Sequence, residues 1–107
     1  MIDFNKLQSA EVDKTHYPFF CLDNCLLDNP SRIALAKDCP DIKSGGSIPP
    51  SSINLKGSIK KLISDLESQE MKDILEEKLD VDLSNSEIVT TLRGYSRKKD
   101  GKIHTDS

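Results

Sequence analysis

The sequence predicts a small α+β domain whose helices come first and whose clearest strands come last. Apolar residues recur at helical spacing between residues 55 and 79, which is typical of two amphipathic helices in series. From residue 86 the pattern changes, because β-branched residues follow one another and the period falls towards two. The pair Asp100-Gly101 then favours a hairpin turn, so we expect paired strands in the last part of the chain.

The first forty residues predict one strand and one helix. Residues 1–16 are polar with weak periodicity and should form a loose lead-in, with at most a short helix. The stretch "YPFFCL", residues 17–22, is aromatic, apolar and short enough for a strand. A helix should follow, with Asn29 as its cap and Pro30 at its first position. It should end before Pro40, because a residue that precedes proline avoids the helical region.

A loop then joins this part of the chain to the two amphipathic helices. The stretch "DIKSGGSIPPSS", residues 41–52, combines two glycines and two prolines with small polar residues. The helices after it should be separated by a break near Ser68. Their charged residues are expected on solvated faces. The apolar positions are Leu55, Ile59, Leu62, Ile63 and Leu66, then Met71, Ile74, Leu75 and Leu79, and the charged ones include Lys60, Lys61, Glu76, Glu77 and Lys78.

The last part of the chain predicts a β-hairpin. Residues 86–96 should form a strand that pairs with residues 102–106 across the Asp-Gly turn. We therefore interpret residues 1–107 as a single partial domain. It consists of the lead-in (1–16), a strand with supporting helices (17–85) and the final strands (86–107).

Composition limits the classes of function. A chain of 107 residues has room for one modest core, and only 36% of its residues are apolar and 5% aromatic, so we expect that core to be incomplete. Charged residues make up 31% of the chain with a net charge of -3, which provides no basic surface for nucleic acid. The oligomeric state does not follow from these numbers.

Three cysteines, an odd number with no Cys-x-x-Cys motif, favour reduced thiols in the cytoplasm. We expect Cys21, Cys25 and Cys39 to act as small buried apolar residues. The first residues lack the basic start and apolar run of a signal peptide, and no apolar stretch is long enough to span a membrane.

The chemically most distinctive residues are His104 and Asp106. Side chains two positions apart in an extended chain point the same way, so an imidazole nitrogen and a carboxylate oxygen can reach one ion. Non-haem Fe(II) oxygenases hold iron with two histidines and one carboxylate, which leaves open positions for co-substrate and oxygen. The pair alone is a weak signal, and its place after a strand and an Asp-Gly turn makes it more specific.

Three stretches carry a family resemblance. They are "YPFFCLDNCL…RIALAKDCPDI", "GGSIPP" and above all "LRGYSRKKDGKIHTDS", and the similarity runs from about residue 17 to residue 107. Together they resemble the N-terminal half of an iron(II)- and 2-oxoglutarate-dependent dioxygenase of the prolyl-hydroxylase-like type. The resemblance implies that the helices pack on the first strands of an incomplete double-stranded β-helix, a jelly-roll-like fold. It also implies that His104 and Asp106 are the first two metal ligands.

The same resemblance implies the cofactors and the limits of the chain. The family resemblance implies Fe(II) as the bound metal and 2-oxoglutarate as the co-substrate, and we include ascorbate as an accessory cofactor. Tyr95 resembles a tyrosine that some members place beside the co-substrate, the alternative being a packed or surface tyrosine. The second histidine ligand and a basic residue for 2-oxoglutarate follow the His-x-Asp pair in the family, and neither follows it here. We therefore expect an N-terminal piece that is inactive alone and belongs to a hydroxylase of a peptidyl or small-molecule substrate.

Two alternatives stay open at this point. The chain can instead be a non-enzymatic helical interaction module in which the His-x-Asp pair arose by chance. It can also be a relative that keeps the fold of the family and has lost the iron. His16, the other histidine, precedes the pair, and we expect it to be exposed or to cap a helix rather than to serve as the missing ligand.

Overall fold

Helices are the main elements of the computed structural model, which describes residues 1–43 and 45–94. They hold 43% of the described residues, whereas isolated bridges hold 6%. In chain order the elements are α1 (Phe4–Ser9), α2 (Asn29–Asp38), a 3-10 turn (Pro50–Ser52), α3 (Gly57–Leu66) and α4 (Gln69–Leu79). The closest helix pairs are α2 with α3, α1 with α4 and α3 with α4.

The predicted α+β class, with helices packed on the strands of a jelly-roll-like fold, is wrong. Among residues 1–43 and 45–94 there is no sheet, and the helices pack on one another. Pairing between extended segments is limited there to three isolated antiparallel bridges, which join Ile2 to Leu26, Asp13 to Phe19 and Ile48 to Leu92. Each β-prone segment finds a single partner residue, which does not build a ladder of hydrogen bonds.

Both predicted strands are therefore reduced to short contacts. In residues 17–22 only Phe19 forms a bridge, and its partner Asp13 lies a few residues back in a tight local loop. In residues 86–94 only Leu92 forms one. The remainder of the 86–96 strand and its predicted partner at residues 102–106 lie outside the described residues.

The start and the end of α2 follow from local chemistry. The carboxylate of Asp28 accepts a hydrogen bond from the Ser31 N–H at 2.8 Å, so Asp28 is the cap, one residue before the predicted Asn29. Pro30 lies in the first turn, where its missing N–H costs nothing. The helix ends at Asp38, and the predicted end before Pro40 is confirmed.

The prediction of two helices between residues 55 and 79 is confirmed. The break falls at Glu67 and Ser68, and the Ser68 hydroxyl caps α4 by accepting a hydrogen bond from the Met71 N–H at 3.2 Å. Asp80 ends α4 in the left-handed conformation, with φ of 52°. The capping serine explains why one apolar stripe becomes two helices.

The N-terminus of α3 is capped by another helix. Lys56, the residue before α3, makes no capping hydrogen bond with its side chain. The Asp38 carboxylate at the end of α2 accepts hydrogen bonds from the Ser58 N–H at 3.4 Å and from the Ser58 hydroxyl, which also contacts the Ala34 carbonyl oxygen. A negative charge at this position also suits the helix dipole. Asp38 thereby joins α2 to α3.

The core lies between α1 and α4. Ile2 and Leu7 are buried against Met71 and Ile74. Partly buried apolar residues surround this cluster: Phe4, Phe20, Leu22, Leu62 and Leu75. With so few fully buried side chains in the described residues, burial of apolar surface contributes modestly, and polar contacts between segments matter more.

Lys78 is one of these polar contacts. Its ammonium donates to the carbonyl oxygens of Gln8 at 3.2 Å and of Ala10, and it stands 4.9 Å from the centre of the Phe20 ring. The prediction of a purely solvated charged face is wrong at this residue, because its side chain fastens the end of α1 to α4.

Candidate functional site

The residues predicted for the candidate site are His104 and Asp106, as iron ligands, and Tyr95, beside the co-substrate. All three lie outside the described residues, so their positions stay a prediction. The chain leads into them through Arg93 and Gly94, the last two described residues. The surroundings of Arg93 and Gly94 are therefore the nearest part of the candidate site that the structure defines.

A cleft of about 320 Å³ opens beside Arg93 and Gly94. Its opposite wall is the segment that follows α2, from Cys39 to Ile42. The two walls combine a guanidinium, a carboxylate from Asp41 and apolar surface, a mixture that many small-ligand sites share. Sequence reasoning did not single out this cleft, since its walls are about fifty residues apart in the chain.

Gly94 packs directly on the opposite wall. A Cβ atom at this position would overlap the carbonyl oxygen of Ile42 and come within 2.7 Å of the Ile42 Cβ. Real Cβ atoms do not approach other atoms so closely, and backbone cannot swing away as a side chain does. Glycine is therefore the residue that lets the two walls meet, and its place in the quoted "LRGYS" stretch was the signal available in the sequence.

We expect Gly94→Ala to push the two walls apart and to destabilise the fold by about 1–3 kcal/mol, the usual cost of overpacking. Amide hydrogen exchange should accelerate at Leu92 and Ile48, whose bridge lies beside the overlap. The matched control is Gly57→Ala, since nothing lies within 4 Å of a Cβ there and alanine favours the helix. Equal exchange rates at Leu92 and Ile48 in the two variants would contradict the close contact between Gly94 and Ile42.

An antiparallel bridge holds the segment before the cleft. The Ile48 N–H donates to the Leu92 carbonyl oxygen at 2.9 Å, and the Leu92 N–H donates back to Ile48 at 2.7 Å. Ile48 belongs to "GGSIPP" and Leu92 to "LRGYSRKKDGKIHTDS", two of the stretches that carry the family resemblance. The fold thus brings two distant stretches of the resemblance together.

The other wall is held by the contact between Asp38 and Ser58. Asp38 directly precedes Cys39 in the cleft wall. Hydrogen bonds from the Ser58 side chain, opposed by partial burial, hold the pKa of the Asp38 carboxyl below its ordinary value. Asp38 therefore stays ionised above mildly acidic pH and keeps the start of this wall against α3.

A buried carboxylate, Asp65 on α3, is the other notable polar group. It accepts hydrogen bonds from the Ile2 N–H and the Met1 ammonium, each at 3.1 Å, and its second oxygen lies 3.3 Å from the Lys61 Nζ. Burial raises the pKa of Asp65, but these three donors outweigh it, so the pKa lies below its ordinary value. The donors belong to the first two residues and to α3 itself, so they join the start of the chain to α3. We therefore assign Asp65 to the stability of the fold rather than to catalysis.

The other candidate ligands are scattered over the surface. His16 is exposed, as predicted. The three cysteines are free, but Cys21 and Cys39 are exposed and Cys25 is half-buried, so the prediction of buried thiols is wrong. No group of three or more His, Cys, Asp or Glu side chains that could hold a metal ion occurs in residues 1–43 and 45–94. Nor does any helix in this part of the chain have the length and apolarity needed to cross a membrane.

Comparison with protein-family models, with curated proteins and with solved structures gave no match for this chain.

Proposed function

We propose that the chain is the N-terminal part of an Fe(II)- and 2-oxoglutarate-dependent dioxygenase, and that His104 and Asp106 are two of its three metal ligands. The observation that carries the proposal is the stretch "RGYSRKKDGKIHTDS", residues 93–107, in which the His-x-Asp pair follows an Asp-Gly turn. This stretch is the most specific part of the family resemblance. The bridge between Ile48 and Leu92 supports it, because two stretches of the resemblance meet there.

The donor chemistry fits iron. A neutral imidazole and a carboxylate are two of the three ligands in the facial triad of non-haem Fe(II) oxygenases. His16 is exposed and lies far upstream of the pair, so under this proposal the second histidine comes from chain beyond Ser107. The basic residue for 2-oxoglutarate comes from there as well. When bound, Fe(II) and 2-oxoglutarate would supply oxygen activation, coupled to release of succinate and CO₂, for hydroxylation of a C–H bond.

The chain's own residues have supporting roles in this proposal. Asp38 and the bridge at Leu92 hold the two walls of the cleft, and Gly94 lets the walls meet before the chain continues to Tyr95. Tyr95 is proposed to lie beside the co-substrate. We propose a peptidyl or small-molecule substrate, since the net charge of -3 does not attract nucleic acid. Free thiols favour a cytoplasmic location, and ascorbate is included as an accessory cofactor.

The test is succinate release from 2-oxoglutarate. It compares the 107-residue chain with the longer product of the same reading frame, each with Fe(II) and ascorbate under air. We expect turnover in the longer product and none in the 107-residue chain, because two ligands do not complete the triad. A longer product without a second histidine and without turnover would contradict the proposal.

One observation favours the second candidate, a helical interaction module. α2 contributes no buried residue, and on its outer face Ile33 is 69% exposed beside a hollow of about 360 Å³ lined by Asn29, Arg32 and Ala36. Exposed apolar side chains beside a hollow are common in protein-binding surfaces. The succinate assay separates the candidates, since a binding module predicts no turnover from any length of chain.

A further inference from the structure

The segment before Gly94 has one packed face and one open face. From Glu87 to Arg93 the chain runs without a turn or bend, and burial alternates at every residue. Ile88, Thr90 and Leu92 are half-buried, whereas the residues between them are exposed, Val89 by 76%. Alternation with a period of two is the pattern of an extended strand lying on a core.

One edge of this segment has no partner among the described residues. The backbone N–H and C=O of Leu92 are hydrogen-bonded to Ile48. In a strand, the backbone N–H and C=O of successive residues point to opposite edges. The backbone groups of Glu87, Val89, Thr91 and Arg93 therefore face the edge opposite to Ile48. Among residues 1–43 and 45–94 none of them forms a backbone hydrogen bond. An extended edge of this kind is a template for another strand.

The sequence of the segment complements itself. It reads "EIVTTLR", with an acid at one end, a base at the other and a threonine at the centre. In an antiparallel pair centred on Thr90, Glu87 lies opposite Arg93 of a second copy, Ile88 opposite Leu92, and Val89 opposite Thr91. Opposite charges and β-branched residues are favourable cross-strand partners. A parallel pair in the same register would instead bring like charges together.

We propose that residues 87–93 are a homodimerisation strand, which pairs antiparallel with the same segment of a second copy through the edge of Val89 and Thr91. Such an interface has two-fold symmetry, so each favourable pair occurs twice. Backbone hydrogen bonds supply the affinity, and the two Glu87–Arg93 pairs select the register. The proposal uses neither the His-x-Asp pair nor iron, and it places a second copy, instead of residues 102–106 of the same chain, along this edge of residues 87–93.

Sedimentation equilibrium tests the proposal with charge reversals. Because a small interface binds weakly, the native chain should change from monomer to dimer as the protein concentration rises from about 1 to 500 μM. Glu87→Arg and Arg93→Glu should each raise the dimer dissociation constant about tenfold, since two pairs change from attraction to repulsion. The double variant should recover the native constant, and an equimolar mixture of the single variants should form heterodimers.

Glu77→Arg is the matched control, because it reverses an exposed glutamate on α4 and should leave association unchanged. Circular dichroism verifies that each variant keeps its helices. A native chain that stays monomeric over the whole range would overturn the proposal. So would dimers that neither single variant weakens, since association would then use another surface, such as the exposed apolar face of α2.

Discussion

Replacing His104 or Asp106 with alanine is expected to abolish the Fe(II)-dependent release of succinate by the protein that carries the complete site. Each substitution removes one ligand of a three-ligand set, and two ligands hold Fe(II) weakly and leave its orientation undefined. Loss of an outer partner of a ligand alone costs about 10–100-fold in metal affinity or activity. Loss of the ligand itself should therefore reduce turnover by more than about 100-fold, as measured by succinate release at saturating 2-oxoglutarate.

Two matched controls accompany these variants. His16→Ala and Asp23→Ala remove the same kinds of side chain from exposed positions far from the pair in sequence, and they should retain turnover. Binding of Fe(II), followed by calorimetry under anaerobic conditions, should weaken in the ligand variants and not in the controls. Full turnover in either ligand variant would remove that residue from the iron site and leave the pair as a chance occurrence.

Asp65→Asn is expected to be the most destabilising polar substitution in the described part of the chain. It keeps the shape of the side chain but leaves the Met1 ammonium without its counter-charge in a site where both side chains are about nine-tenths buried. Breaking a buried pair from one side costs about 3 kcal/mol or more. At a urea m-value of about 1–3 kcal/mol/M, the unfolding midpoint should fall by about 1–3 M.

The pH dependence of stability provides a second measurement at Asp65. Its folded pKa is below its unfolded value of about 3.9, so the ionised group stabilises the fold above that pH. The contribution should disappear as the pH falls through the folded pKa, and Asp65→Asn should lack this component of acid destabilisation. Asp73→Asn, an exposed carboxylate on α4, is the control, and its midpoint should stay close to that of the native chain. Equal midpoints for both variants at pH 7 would contradict the role of Asp65.

The helices were predictable because their signals are local. Apolar spacing indicated α3 and α4, and the prolines on either side of α2 marked its ends. The capping residue of α2 was off by one position, because Asp28 and Asn29 are both good caps and only the folded geometry decides between them. Local chemistry thus determines where helices occur more firmly than where each one begins.

The strands were not predictable from the same local signals. Residues 17–22 and 86–94 are rich in β-prone residues, but a strand needs a partner of matching length, and each segment has one bridging residue among the described residues. The predicted α+β class failed for this reason. A pattern of side chains indicates an extended chain, whereas a sheet depends on segments distant in sequence.

The polar contacts that hold the fold were missed for a related reason. Asp65 reads in the sequence as a charge within an apolar stripe, and its donor Ile2 is 63 residues away. Lys61 and Lys78 read as a solvated face; Lys61 is exposed as predicted and also lies beside Asp65, whereas Lys78 holds the end of α1. The candidate iron ligands, in contrast, were recognised from a short motif whose spacing carries its chemistry, and their geometry stays a prediction.

The core makes the first helix of the chain depend on the last described one. Leu7 is buried against Met71 and Ile74, and at about 5–20 residues per second the ribosome adds these residues roughly 3–13 seconds later. A helix of six residues is unstable alone, so α1 stays unfolded during this interval. The apolar side chains of α1 are then open to chaperones and proteases until α4 leaves the exit tunnel, and Leu7 is buried only after Met71 and Ile74 have been made.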